Sequence, residues 1–255
     1  MFLHDCNRNL NSKNLIKIIF LGANIHLYLH LFLHLNIKAV IFTVGGIKGG
    51  TGKTTIATNL AVWLSLQGKD VLLIDADDQE SATDFTTMRE STKQGDTGYT
   101  LSQLRQQLRQ NIKKLAKKYD HIVIDTGGRD TELQRAAILT ADTYVLPFAP
   151  RNYEIWTVSK VQMLINEVSV LRDELGEEPL RVFSFLNKAD FRGSENNESI
   201  EILVEHNGLG FIDSPIVNRK AFANAASKGL SIFELLPADE KAINEMKRLF
   251  EKIAN

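Results

Sequence analysis

The chain has 255 residues, 44% hydrophobic and 24% charged, with a formal net charge of −1; this balance excludes disorder as the dominant state. Its single cysteine, Cys6, excludes a disulfide framework and any cysteine-rich zinc or iron–sulfur site within one chain, and it fits a reducing, cytosolic setting. Without overall basicity, nucleic-acid binding has to come from a local patch.

Residues 1–38 read as foreign to the rest of the chain. They hold four of the six histidines and an apolar run, Leu15–Leu35, that is long enough to cross a bilayer. Lys17, Asn24 and three histidines make it a poor membrane helix, and no small-residue cleavage site comes after it. His26, His30 and His34 share a helical face, but with no carboxylate or thiol beside them they read as incidental rather than as a metal site. The expectation is that the chain proper starts near Ile37, a non-Met start, with 1–36 as translated upstream sequence. That segment contains Asp5 as its one acid and, with Lys38, four bases, so the 30 bases and 31 acids of the chain fall to 26 and 30 beyond it, a net of −4.

From residue 39 onward, short apolar runs alternate with helical periodicity. Strands are predicted at Ala39–Val44, Asp70–Asp75, His121–Asp125, Thr143–Phe148 and Arg181–Leu186, with a shorter one near Gly210–Asp213. Near-continuous apolar runs of this length belong to strands buried on both faces, as in a parallel sheet. Helices are predicted at 54–67, 101–118, 131–140, 153–175, 195–206, 218–228 and 238–254. The expected fold is a single α/β domain over 39–255, a doubly wound, mostly parallel sheet with helices on both faces.

Gly45–Thr55, GGIKGGTGKTT, lies between the first strand and the first helix. Glycines let a backbone curl so that successive N–H groups face phosphate oxygens, and the helix N-terminus behind them adds partial positive charge. Gly49, Gly50, Thr51, Gly52, Lys53, Thr54 and Thr55 form this cradle, with Lys53 for the β- and γ-phosphates and the Thr54 hydroxyl for Mg²⁺. A second lysine, Lys48, precedes it. Asp75, Asp77 and Asp78 gather at the end of the second apolar strand, where a bound Mg²⁺ or an ordered water gives a reason to collect them. Asp125 ends the strand HIVID ahead of Gly127–Gly128, a Walker B arrangement.

KGGTGKTT, LLIDADDQESAT and YDHIVIDTGG, in this order and spacing, resemble the ParA/MinD family of deviant Walker A ATPases. The resemblance continues to NRKAFANAASKGLSIFE and is nearest to small plasmid-type ParA partition ATPases. It implies a P-loop ATPase using ATP and Mg²⁺, working as an ATP-dependent homodimer in the cytoplasm on the nucleoid. Non-specific duplex DNA and a ParB-type adaptor that stimulates slow hydrolysis are the implied partners. Lys48 matches the lysine that reaches the partner subunit's phosphates, Asp77 the acid that orients attacking water, Asp75 and Asp125 positions near magnesium, and Asn187 the adenine ligand. Two departures stand out. Asp78 replaces the usual Pro, and NKAD (Asn187–Asp190) also spells the guanine-reading NKxD; ATP is favoured over GTP because the Asn alone is typical of the family.

For DNA, the 101–118 segment offers Arg105, Arg109, Lys113, Lys114, Lys117 and Lys118 without an acid, over an expected buried stripe of Leu101, Leu104, Leu108, Ile112 and Leu115. Arg219, Lys220 and Lys228 form a second candidate patch. The rival reading is a MinD-like ATPase acting at a membrane surface or positioning a protein cargo; the membrane role needs a basic amphipathic C-terminal helix. Residues 239–255 are amphipathic but charge-balanced, so docking onto the sheet is expected instead. An electron-transfer role like that of the nitrogenase iron protein fails for want of cysteines.

Overall fold

The computed structural model describes residues 39–150, 154–190 and 195–255; the readings of 1–38 lie outside them. Seven strands form one sheet in the order β3-β2-β4-β1-β5-β6-β7, and every recorded strand pairing is parallel. In chain order the strands are β1 (Val40–Val44), β2 (Val71–Ala76), β3 (Thr100–Gln103), β4 (His121–Thr126), β5 (Thr143–Phe148), β6 (Arg181–Ala189) and β7 (Ile216–Val217). The helices are α1 (Lys53–Ser65), α2 (Ser81–Thr92), α3 (Leu108–Leu115), α4 (Glu132–Thr140), α5 (Glu154–Glu174), α6 (Glu195–Glu205), α7 (Lys220–Ala226) and α8 (Glu240–Ala254).

Side chains on a strand alternate between faces, and the core divides accordingly. Phe42, Val44, Leu73, Val123 and Phe185 meet α1 and α8 on one face. On the other face Ile41, Ile74, Ile122 and Ile124 meet α3 and α4, while Tyr144 and Leu146 meet α5. α8 begins at Asp239, whose side chain accepts from the Ala242 N–H at 3.1 Å. It buries Ala242, Met246, Leu249, Phe250 and Ile253 in the core, with Phe250 set 5.5 Å from the Trp63 ring. Docking of the last helix is therefore what the structure shows. Among the described residues no helix is long and apolar enough to cross a membrane.

Three expectations need correction. The segment 101–118 is not one helix: Thr100–Gln103 pairs with β2 as an edge strand, and Gln107, at φ 50°, starts a much shorter α3. Its leucines repeat at helical spacing, but Leu101 and Leu104 lie on the strand and in the turn before the helix, against different parts of the core. Second, α2 was not expected at all, because only Ala82, Phe85, Thr86 and Arg89 of its residues are buried. Third, the last strand is Ile216–Val217; near 210–213 only Phe211 bridges to Ser184.

Candidate functional site: the phosphate loop and its acidic rim

The carboxyl ends of β1, β2, β4 and β6 carry the residues that the sequence singles out, and the sheet sets their spacing. Register places Asp75 beside Asp125 and Asp125 beside Val44. The loop after β1 starts with the Gly45 N–H donating to the Val145 carbonyl at 3.0 Å. It ends at Gly52, which caps α1 at φ 90°, a conformation that suits glycine. The first N–H groups of a helix have no intrahelical acceptor and favour an anion.

Lys53, in the first turn of α1, is buried and donates to the Lys48 carbonyl at 2.7 Å. Burial lowers its pKa, while Asp125 and Asp77 act to raise it. Asp125 is fully buried, and apart from the neighbouring Thr54 hydroxyl its carboxylate meets no hydrogen-bond donor among the described residues. Burial pushes its carboxyl up to about 7; the neighbouring Thr54 hydroxyl and Lys53 oppose the rise, and Asp75 and Asp77 add to it. A buried, unsatisfied carboxylate beside a threonine hydroxyl is a fit for a hard divalent cation that draws its other oxygens from phosphate and water. No cluster of three or more acidic, His or Cys side chains suited to holding a metal by itself occurs among the described residues.

Asp75 stands beside Asp125 and is already engaged in hydrogen bonds. Its carboxylate accepts from the Thr83 N–H at 2.9 Å, the Thr83 hydroxyl at 2.7 Å and the Asp77 N–H at 3.1 Å. Those bonds commit it to holding the β2–α2 loop and the first turn of α2, leaving Asp125 as the acid with open oxygens. Asp77 comes next in that loop; its Oδ1 accepts from the Gln79 N–H at 3.2 Å and would stand 3.1 Å from a β-carbon on Gly127. Asp78 is 97% exposed.

Two contacts join the loop to β6. Asn187 Nδ2 donates to the Thr51 carbonyl at 2.6 Å, and Lys188 Nζ donates to the Gly50 carbonyl at 2.7 Å. Asn187, the expected adenine ligand, thus has its amide nitrogen engaged with the phosphate loop in the nucleotide-free protein. Lys188 was not singled out, although NKAD contains it. The tail motif is structural: Glu234 takes a bidentate contact from Arg89 of α2 at 2.6 and 2.9 Å, and the Ile232 N–H donates to Asn59 Oδ1 at 2.8 Å.

The basic residues are less available than their sequence implies. Arg105 spans the acidic loop, 3.8 Å from Asp75, 3.7 Å from Asp78 and 3.2 Å from Glu80. Arg109 and Lys113 both meet Glu177, at 2.7 and 3.1 Å, and Arg219 meets Glu245 at 2.6 Å. The expectation of an unpaired cationic face is thus corrected for Arg105, Arg109 and Lys113, whose acids come from other segments. Lys220 and Lys228, on α7 and just after it, are exposed.

A glycine-rich loop closed onto a helix, a buried lysine beneath it and an acid-tipped neighbouring strand define a P-loop nucleotide-binding protein. The chain belongs to the CobQ/CobB/MinD/ParA nucleotide-binding domain family, whose profile matches residues 42–232. It is 23% identical over 217 residues to maintenance of carboxysome distribution protein A of Halothiobacillus neapolitanus, covering 85% of this chain and 97% of that one. It is 26% identical over 187 residues to protein ParA of Rhizobium radiobacter, covering 72% and 80%. The fold is shared with a Cyanothece McdA variant solved as an ATP complex, with a TM-score of 0.71 at 18% identity over 85% of this chain and 97% of that chain.

Proposed function

We propose that the protein is a Mg²⁺-dependent ATPase of the partition and positioning type, cycling between an ATP-bound homodimer and free subunits. The observation that carries this reading is the convergence of Lys53, Asp77 and the open oxygens of Asp125 beneath a loop that also bears Lys48. Phosphoryl transfer is mostly positioning and charge neutralisation. Lys53 and the N–H groups of Gly49–Thr55 would bind the triphosphate, Thr54 and Asp125 would hold the magnesium ion, and Asp77 would orient water. When bound, magnesium would supply positive charge that offsets the charge of the triphosphate. No arginine finger stands among the motifs, so Lys48 of a second subunit completes the charge. Catalysis is then slow in the monomer and dependent on the dimer.

In this reading the dimer binds duplex DNA without sequence preference and is released when a ParB-type adaptor stimulates hydrolysis. Ion pairing of Arg105, Arg109, Lys113 and Arg219 shifts the DNA contacts toward Lys220 and Lys228, which dimerisation would double. The named roles of relatives in carboxysome distribution and partition support a positioning function with either DNA or a protein assembly as cargo. A membrane-surface role is disfavoured because the apolar face of α8 is spent in the core.

The test is ATP turnover with and without duplex DNA and a candidate ParB-type adaptor, together with sizing in a non-hydrolysable ATP analogue. Dimer formation and DNA binding only with ATP support the proposal. A monomer in the analogue, or a clear preference for GTP in competition binding, refutes it.

A further inference from the structure

Lys188 has an unusual backbone and an unusual contact. β6 pairs with β7 through Asn187–Ile216 and Ala189–Val217, so two residues on one strand oppose one step on the other and Lys188 is the extra residue of a β-bulge. It is also a non-glycine residue at φ 56°, in a left-handed region that a β-carbon makes costly. Bulges re-aim side chains, often next to functional sites. Here the bulge sends the ammonium of Lys188 across to the Gly50 carbonyl at 2.7 Å, while the preceding Asn187 takes the Thr51 carbonyl at 2.6 Å. Gly52 makes room for this approach: a β-carbon there would collide with Asn187 Nδ2 and stand 3.6 Å from Lys188 Cε.

Two consecutive carbonyls of the phosphate loop are therefore drawn toward the end of β6. In a planar trans peptide the carbonyl and the following N–H point in opposite directions. Fixing the Gly50 and Thr51 carbonyls toward β6 accordingly turns the Thr51 and Gly52 N–H groups the other way, away from β6. We propose that Lys188 is a positioning residue for phosphate binding: with Asn187 it sets the Gly50–Thr51 and Thr51–Gly52 peptides in advance, so that their N–H groups are oriented as anion donors before a nucleotide arrives. This rests on the nucleotide-binding reading above and adds a determinant that touches the loop rather than the substrate. The energetic logic is preorganisation. Orienting two peptide planes in a glycine-rich segment costs conformational freedom, and the bulge settles that cost during folding.

The experiment uses the full chain and three variants: Lys188→Gly, Lys188→Met and Lys188→Arg. Binding is read by titration with a fluorescent ADP analogue and its displacement by ATP and by inorganic triphosphate, and stability by melting temperature. Lys188→Gly relieves the left-handed backbone, so its melting temperature holds or rises while ATP and inorganic triphosphate both weaken by the same factor, about tenfold. Lys188→Met shows the same loss of affinity, and Lys188→Arg, which can still donate to the carbonyl, recovers most of it. Unchanged ATP affinity in Lys188→Gly overturns the proposal. So does a loss of ATP affinity with inorganic triphosphate unaffected, since that would place the lysine stem against the base. Failure of the parent protein to bind the ADP analogue refutes the nucleotide-binding reading itself, before any variant is compared.

Discussion

Gly128 lies against Gly49: a β-carbon on Gly128 would stand 2.7 Å from the Gly49 nitrogen and 2.8 Å from its Cα. The segment after β4 and the phosphate loop thus touch backbone to backbone, and neither side has a flexible side chain to yield. Gly128→Ala is expected to displace the loop and weaken nucleotide binding at least about tenfold, with a stability loss of about 1–3 kcal/mol. Gly127→Ala meets only the Asp77 side chain, at 3.1 Å, and is expected to be milder. Titration of both variants with ADP checks the order; equal affinities would remove the steric argument.

Asp125 gives the ligand-free protein a distinct pH dependence. Its folded carboxyl, raised to about 7, titrates far above the ~3.9 of an unfolded aspartate. The stabilising contribution of the bound proton is therefore complete below about pH 4 and is lost as pH rises through about 7. Asp125→Asn should gain on the order of 1–4 kcal/mol over the parent at pH 8 and little at pH 4, while losing Mg²⁺-dependent turnover. Urea melts of both proteins without nucleotide at the two pH values measure this, and a parallel pH response would contradict it.

The Arg89–Glu234 pair behaves in the opposite sense. Burial alone would raise the Glu234 carboxyl, but Arg89, the Ser231 N–H and Lys93 outweigh it and hold it at about 2. This contribution is present above the ~4.3 of a free glutamate and is lost as pH falls through about 2. Glu234→Gln leaves the buried Arg89 without its partner and should cost about 3 kcal/mol at pH 7, much less at pH 2. Adding Arg89→Met should cost less than the two single losses combined, as expected of coupled residues; additivity in denaturant melts would argue against the pairing.

Under the proposed mechanism, substitutions at Lys48 and Asp77 are expected to separate binding from turnover. Lys48→Ala should lower adaptor-stimulated ATP hydrolysis about a hundredfold or more while leaving nucleotide affinity within a few-fold. Asp77→Ala should instead accumulate the ATP-bound dimer. Near-normal stimulated turnover in the first variant, or a monomeric second variant in ATP, would count against these roles.

If the proposed DNA binding holds, the ion pairs predict which residues govern its affinity. Arg105 is held over the β2–α2 loop by Asp78 and Glu80, so Arg105→Gln should leave DNA affinity within about twofold and instead increase hydrogen exchange in residues 77–80. Lys228→Gln and Lys220→Gln should each lower DNA affinity and reduce the salt slope by about one. Gel shifts at several salt concentrations distinguish the two groups, and a strong DNA defect in Arg105→Gln would reverse the assignment.

The legible parts of the sequence were those with one physical cause each. β1, β2, β4 and β5 are buried on both faces over nearly their whole length and β6 over Ser184–Asn187, and all five read as near-continuous apolar runs. The phosphate loop was legible because its glycines and lysines sit at a fixed spacing. α2 was not legible, since a helix held by Arg89 and Thr86 in polar contacts shows no apolar period. The β3–α3 region misled because an edge strand and a short helix together mimic one long leucine stripe. Glu177, which occupies Arg109 and Lys113, is 68 and 64 residues away in the chain, beyond any local pattern. Lys188 was concealed by a bulge, which depends on how two strands register and not on either strand alone.

The sheet ends on both flanks in stubs, four residues in β3 and two in β7. A long open flank invites another chain to zip onto its unpaired amides. With ladders this short on either flank, a second copy finds little there to extend by strand pairing.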